Sequence, residues 1–174
     1  MLIKKPNFKV CITVFYIIFF AAYFIIGFQP AAEAMDYKIS NELKIESINL
    51  NAPVTKLEIK SGKLETPVDI AGSYSITPNK TLLIGHASSI FKNLNLAKIG
   101  DKIEYEGNTY KIISTETMEK SAVNMERLLA NTKKPTLKIM TCAGEYYNDG
   151  DASHRLIVTA IKEENSWKNY ALLF

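Results

Sequence analysis

Cys142 closes an extended run, Thr136-Leu137-Lys138-Ile139-Met140-Thr141-Cys142, and Ala143-Gly144 follow at once. A nucleophile fits such a place. A strand end holds the side chain rigidly, and small residues beyond it let a substrate carbonyl approach the thiol and a backbone N–H acting as oxyanion donor. The thiolate is the attacking species, so an adjacent base or cation is needed. Two histidines could supply one. His86 follows Leu82-Leu83-Ile84-Gly85 at another strand end, and His154 directly precedes Arg155 at the start of the last strand. Arg155 opens the apolar run Leu156-Ile157-Val158, and a guanidinium beside a nucleophile can donate to a developing oxyanion. Neighbouring side chains of a strand face opposite sides, so His154 and Arg155 cannot both point into one site.

Each of these residues also has a plainer reading. A buried Cys is inert packing, a lone His is commonly structural, and Arg155 could be a rim residue paired with Asp151 or Glu145. A zinc centre built from His86, Cys142 and His154 lacks close ligand spacing and has the cationic Arg155 beside it. Asn148-Asp149-Gly150-Asp151 carries only part of a calcium-loop pattern and reads as a turn. No metal or other cofactor is expected.

The elements that must position these residues are mostly strands. Short β-branched and aromatic runs separated by turn signals predict strands at Leu43–Asn49, Val54–Ile59, Gly72–Ile76, Thr81–Gly85, Lys102–Glu106, Thr109–Thr115, Thr136–Thr141 and Arg155–Ile161. Gly107-Asn108 between the fifth and sixth is a two-residue hairpin turn that needs positive φ. Spacing of about 8–12 residues with polar turns favours a β-sandwich or barrel. Two stretches have helical spacing instead: Ser88–Leu96, with Ile90, Phe91 and Leu94 after a Ser cap, and Ser121–Ala130, with Val123, Met125, Leu128 and Leu129.

Val10 to Phe28 is a run of 19 residues without charge. As a helix it is long enough to cross a hydrocarbon layer of about 30 Å. Lys4, Lys5 and Lys9 precede it with no acid, which keeps residues 1–9 in the cytoplasm and sends the rest outside. A cleavable secretory signal is the competing reading, with Ala32-Glu33-Ala34 as cleavage pattern, although the apolar run exceeds the usual ~7–15 residue core. Residues 29–42 read as a tether, 43–165 as one exported domain and 166–174 as a tail. Cys11 falls within the apolar run, so Cys142 is the one exported thiol and has no partner in its chain. The 174 residues carry 21 basic and 18 acidic side chains, and the net +3 equals the three flanking lysines. The exported part is therefore electrically balanced, which excludes nucleic-acid binding by phosphate neutralisation.

With these residues in view, the chain resembles the sortase family. Gly85-His86 followed by Phe91, then Gly100-Asp101 ahead of a strand, is similar to the sortase pattern around its histidine. Leu137 to Cys142 resembles the sortase TLxTC motif, with Leu137 and Thr141 in register. Arg155-Leu156-Ile157-Val158 begins 13 residues past the Cys and is similar to the strand bearing the family's arginine. Leu43 through Val54 resembles the opening of the domain, so the likeness runs from about Leu43 to Glu163. Pro78-Asn79-Lys80 departs from the family's usual glycine in the turn before the His strand. The runs Thr141–Glu145 and Ser153–Arg155 are most similar to compact subtypes grouped as class E or F.

The resemblance implies a mostly β fold: a closed eight-stranded barrel with two short helices, preceded by one transmembrane helix. It implies a bacterial, single-pass membrane enzyme with its catalytic domain outside the cell. Such an enzyme cleaves an LPxTG-type sorting signal after Thr and passes the acyl group to an amine from a cell-wall precursor or a pilin. Cys142 would be the nucleophile, His86 the acid and base, and Arg155 the oxyanion and carbonyl ligand. Thr141 and Ala143 would contribute backbone contacts, and the connection containing Ser121–Ala130 would form one wall of the substrate groove. The resemblance, not the spacing, selects His86 over His154. Two other expectations stay open: an exported papain-like peptidase, which would place its Cys at a helix start, and a non-catalytic membrane-tethered barrel that binds partners.

Overall fold

Alternation along the strands decides where each side chain goes. The computed structural model describes residues 38–59, 66–148 and 150–164. The cytoplasmic flank, the expected membrane span 10–28, most of the tether and the tail lie outside the described residues. Among those described, no helix is long and apolar enough to cross a membrane. Eight strands form: β1 (Ile39–Ile45), β2 (Leu50–Lys56), β3 (Ala71–Thr77), β4 (Lys80–Ile84), β5 (Lys102–Tyr105), β6 (Asn108–Glu119), β7 (Thr136–Tyr146) and β8 (Ala152–Lys162). They close into a barrel in the order β1-β2-β3-β4-β7-β8-β6-β5. The pairs β2–β3 and β4–β7 are parallel and the others antiparallel, with Leu43 opposite Tyr105 completing the circle.

Every second residue points inward. Leu43, Ile45, Val54, Ile103, Ile112, Leu137, Ile139 and Val158 fill the interior, and Phe91 and Leu94 from the β4–β5 connection pack into the same core. A second apolar cluster lies on the opposite face of the sheet. It joins Leu82 of β4, Met140 of β7 and Ile157 of β8 to Leu128 of α1 (Met125–Leu129), with Ile84, Met118, Val123 and Leu129 at its margin.

The expected strands all occur, and their limits differ for physical reasons. β1 starts at Ile39, inside the stretch read as tether, and ends at Ile45, where a 3-10 turn over Glu46–Ile48 and a left-handed Asn49 reverse the chain. β2 starts at Leu50, ahead of the expected Val54, and runs through Pro53, which pairs with Glu42. The β5–β6 turn sits one residue early: Glu106 and Gly107 take the positive φ values, 50° and 69°, while Asn108 already pairs with Tyr105. β7 runs on to Tyr146 and β8 starts at Ala152, so Cys142 and Arg155 lie within strands, not at their ends.

Both expected helices are shorter than predicted. Ser88–Leu96 forms successive turns ending in a 3-10 turn at Leu94–Leu96. The Ser89 hydroxyl bonds the Val68 carbonyl across the fold and so does not cap a helix. In the second stretch a 3-10 turn spans Lys120–Ala122, and α1 begins only at the Asn124 cap, whose side chain accepts the Arg127 N–H at 2.8 Å.

Tyr105 reports on barrel closure. Burial raises its hydroxyl from 10.0 to about 12. The fold therefore favours the neutral phenol: that stabilisation is complete below about pH 10 and is lost as pH rises to about 12. Titration at 295 nm should show a tyrosine ionising near pH 12 that Tyr105→Phe removes. An unchanged titration in that variant would contradict the packing described.

Candidate active site

Lateral register gathers the site on the outer face of β6, β8, β7 and the end of β4. Cys142 pairs directly with Arg155, and Arg155 pairs on its other side with Met118. Paired residues on adjacent strands share a face, so Met118, Arg155 and Cys142 form one row. Two residues back, Glu116, Ile157, Met140 and Ile84 form the next row. β4 runs parallel to β7 with Ile84 beside Met140, and His86 follows two residues beyond the end of β4. Cys142 and Arg155 stand side by side at the edge of the outer apolar cluster. Cys142 is a free, half-buried thiol.

Local bonds lock the His86 segment. The Gly85 N–H donates to the Met140 carbonyl at 3.3 Å, and the buried Thr141 hydroxyl donates to the Gly85 carbonyl at 2.7 Å. Next, the His86 carbonyl accepts the Phe91 N–H at 3.0 Å. A side chain at Gly85 would collide with Ile90 and Phe91, its Cβ coming within 2.7 Å of each, and Phe91 is fully buried. His86 Nε2 lies 3.3 Å from both the carbonyl oxygen and the hydroxyl of Thr66. Both contacts hold the ring by its Nε2 edge against one residue.

Arg155 is half-buried and held by three bonds. Nη1 donates to the Ala152 and His154 carbonyls, both at 2.9 Å, and Nη2 donates to Asp151 Oδ1 at 2.6 Å. The rim pairing with Asp151 is therefore present, and the same arginine stands opposite the thiol. Asp151 also accepts from Lys120. Lys120 and then Arg155 hold its carboxyl well below the ordinary carboxylate range.

His154 pairs with Ala143, on the opposite strand face from Cys142 and Arg155. Its Nδ1 lies 2.8 Å from Ser153 Oγ. Among the described residues no group of His, Cys, Asp or Glu is arranged to hold a metal. Gly144 has φ +79°, and a Cβ there would fall 2.4 Å from Ser153 Oγ and 2.7 Å from His154 Nδ1. Its small size answers to this crowding at a β-bulge, where substrate access was the reason expected from sequence. Likewise the side chain of Thr141 is occupied in clamping β7 to the His86 segment.

Sequence reasoning missed Thr66 and Lys120. Thr66 lies 20 residues before His86 and carries no local signal. Lys120 was one of many surface lysines until the fold set it against Asp151.

A thiol, an imidazole and a guanidinium are the groups that cysteine acyl transfer employs. The model of the sortase domain matches residues 43–163. The chain belongs to the sortase family and is a cysteine transpeptidase. Among solved structures, it is similar to Listeria monocytogenes sortase A, with 19% identity, TM-score 0.58, and coverage of 72% of this chain and 88% of that one. Actinomyces oris sortase C-1 gives 20% identity and TM-score 0.56, covering 75% and 77%. Streptococcus suis sortase C1 gives 16% and 0.57, covering 97% and 91%. At these identities the likeness carries the fold and assigns no subclass. No curated protein matches the sequence.

The Thr141 clamp is open to measurement. Thr141→Val keeps the shape but leaves the Gly85 carbonyl unpaired, which should cost about 1–3 kcal/mol, whereas Thr141→Ser should keep most of the stability. Urea midpoints of the two variants check this, and equal midpoints would contradict it.

Proposed function

We propose that this sortase cleaves an LPxTG-type sorting signal after Thr and joins the acyl group to an amine, with Cys142, His86 and Arg155 as the catalytic set. The observation that carries this reading is the direct pairing of Cys142 with Arg155, with His86 following the end of β4, the strand beside β7. The Cys142 thiolate attacks the Thr carbonyl, and the resulting oxyanion is met by Arg155. Three of the five guanidinium N–H donors are engaged by protein oxygens, which leaves Nε–H and one Nη2 hydrogen for that task. The backbone N–H of Ala143 is a second donor in this scheme. His86 gives a proton to the leaving Gly nitrogen as the C–N bond breaks, and a thioester to Cys142 remains. An incoming amine attacks the thioester, its proton passes to His86, and the thiolate leaves as the new amide forms.

The apolar margin of Ile84, Met118, Val123 and Leu129 beside this row, partly exposed above the buried Met140 and Ile157, suits the apolar part of such a signal. Family membership supports an extracytoplasmic bacterial setting and sorting-signal substrates in general. Cargo proteins of the cell surface, a cell-wall or pilin amine, and anchoring through residues 10–28 belong to this proposal. So does the class E or F subtype.

The full-length chain should transfer LPxTG-type peptides, varied at x, to triglycine and should form a thioacyl adduct detectable by mass. Cys142→Ala should abolish both. Loss of the general acid–base in His86→Ala should cost about 10²–10⁴-fold. Loss of the oxyanion donor in Arg155→Ala should cost about 10²–10³-fold. His154→Ala should retain activity. Transfer by Cys142→Ala would refute the assignment.

A further inference from the structure

The carboxylate of Asp151 is shared between two elements of the site, and nothing in the scheme above uses it. Its Oδ1 accepts Nη2 of Arg155 at 2.6 Å and the Ala152 N–H at 2.8 Å. Its Oδ2 accepts Lys120, which stands in the 3-10 turn at the start of the β6–β7 connection. Both oxygens are thus engaged, and the carboxylate plane is fixed from three directions.

We propose that Asp151 is a positioning residue for Arg155: it orients the guanidinium toward the thiol and, by sharing its carboxylate with Lys120, ties that orientation to the wall of the substrate groove. An arginine side chain has many rotamers, and a donor that must meet a developing oxyanion gains from being held beforehand. The Ala152 and His154 carbonyls engage Nη1 alone. Asp151 supplies the one bond to Nη2, and with it the guanidinium plane is defined. The remaining donors then face a constant direction. Because α1 and Lys120 belong to the same connection, a peptide seated under Val123 and Leu129 moves the partner that shares the carboxylate. The coupling runs through charge and geometry; it requires no contact between Asp151 and substrate. The inference rests on the assignment of Arg155 made above.

The test uses the full-length chain with an LPxTG-type peptide that it turns over and triglycine as acceptor. Asp151→Asn and Asp151→Ala should lower kcat roughly 10- to 100-fold with little change in KM, as expected for a misplaced donor. Asp151→Glu should recover part of the loss. Lys120→Met should give a smaller loss in the same sense. Iodoacetamide alkylation of Cys142 separates positioning from general damage and should match the wild type, while the thermal midpoint should fall only slightly with loss of the Asp151 ion pairs. In an Arg155→Lys background the Asp151→Asn change should have little further effect on kcat, because the fork it orients is gone. Wild-type kcat in Asp151→Asn overturns the inference alone, as does a loss mirrored in alkylation rate and thermal midpoint. A wild-type chain that transfers no peptide overturns the reading of the site and this inference with it.

Discussion

Everything at the site depends on the register of β7 against β8. The side-chain period of a strand is two, so a slip by one residue would turn Cys142 into the barrel interior and leave Arg155 opposite a different partner. Interior packing forbids the slip. Leu137 and Ile139 on β7 and Leu156, Val158 and Ala160 on β8 all belong to the inner cluster, and a shift would expose them while burying Lys138. The hydrophobic effect thus fixes the chemistry indirectly: apolar residues choose the inner face, and the thiol and guanidinium receive the outer one.

The third residue reaches the site by another route. His86 lies beyond the last residue of β4, and no ladder carries it further. Its backbone is anchored at Gly85 by Met140 and Thr141, and its own carbonyl is tied to Phe91, which fills the barrel end. The same residue that joins the core therefore helps to fix the backbone at His86. The glycine before the histidine is needed because Phe91 folds back against it, leaving no room for a Cβ.

All eight strands were legible in the sequence, because β-branched runs with alternating burial are what a barrel wall requires. Their limits were less so. The second strand was expected from Val54 and begins at Leu50, with Pro53 inside it; Ala143-Gly144 looked like the end of a strand and is a bulge within β7. The apolar spacing of Phe91 and Leu94 suggested a helix, yet three-residue spacing equally suits turns that drive two side chains into a core. The chemistry was legible as residue types, and Asp151 stood among the possible partners of Arg155. What the sequence could not show was that pairing with the acid and facing the thiol are compatible, since this depends on counting guanidinium donors in space. Thr66 and Lys120 became visible only when distant segments met.

Where its strands are paired on both sides, a closed barrel has no exposed ladder. An extended peptide often binds a protein by joining a sheet edge, where main-chain bonds give affinity whatever the sequence. Along the outer apolar cluster that route is shut, because β4, β7 and β8 pair with neighbours on both sides at Ile84, Met140 and Ile157. A peptide lying across them must be held by side chains: the apolar margin, the guanidinium and whatever reaches down from the overhanging connection. Recognition then falls on the identity of a few peptide side chains and one carbonyl. A short, fixed motif is the kind of substrate such a surface can tell apart from ordinary extended chain.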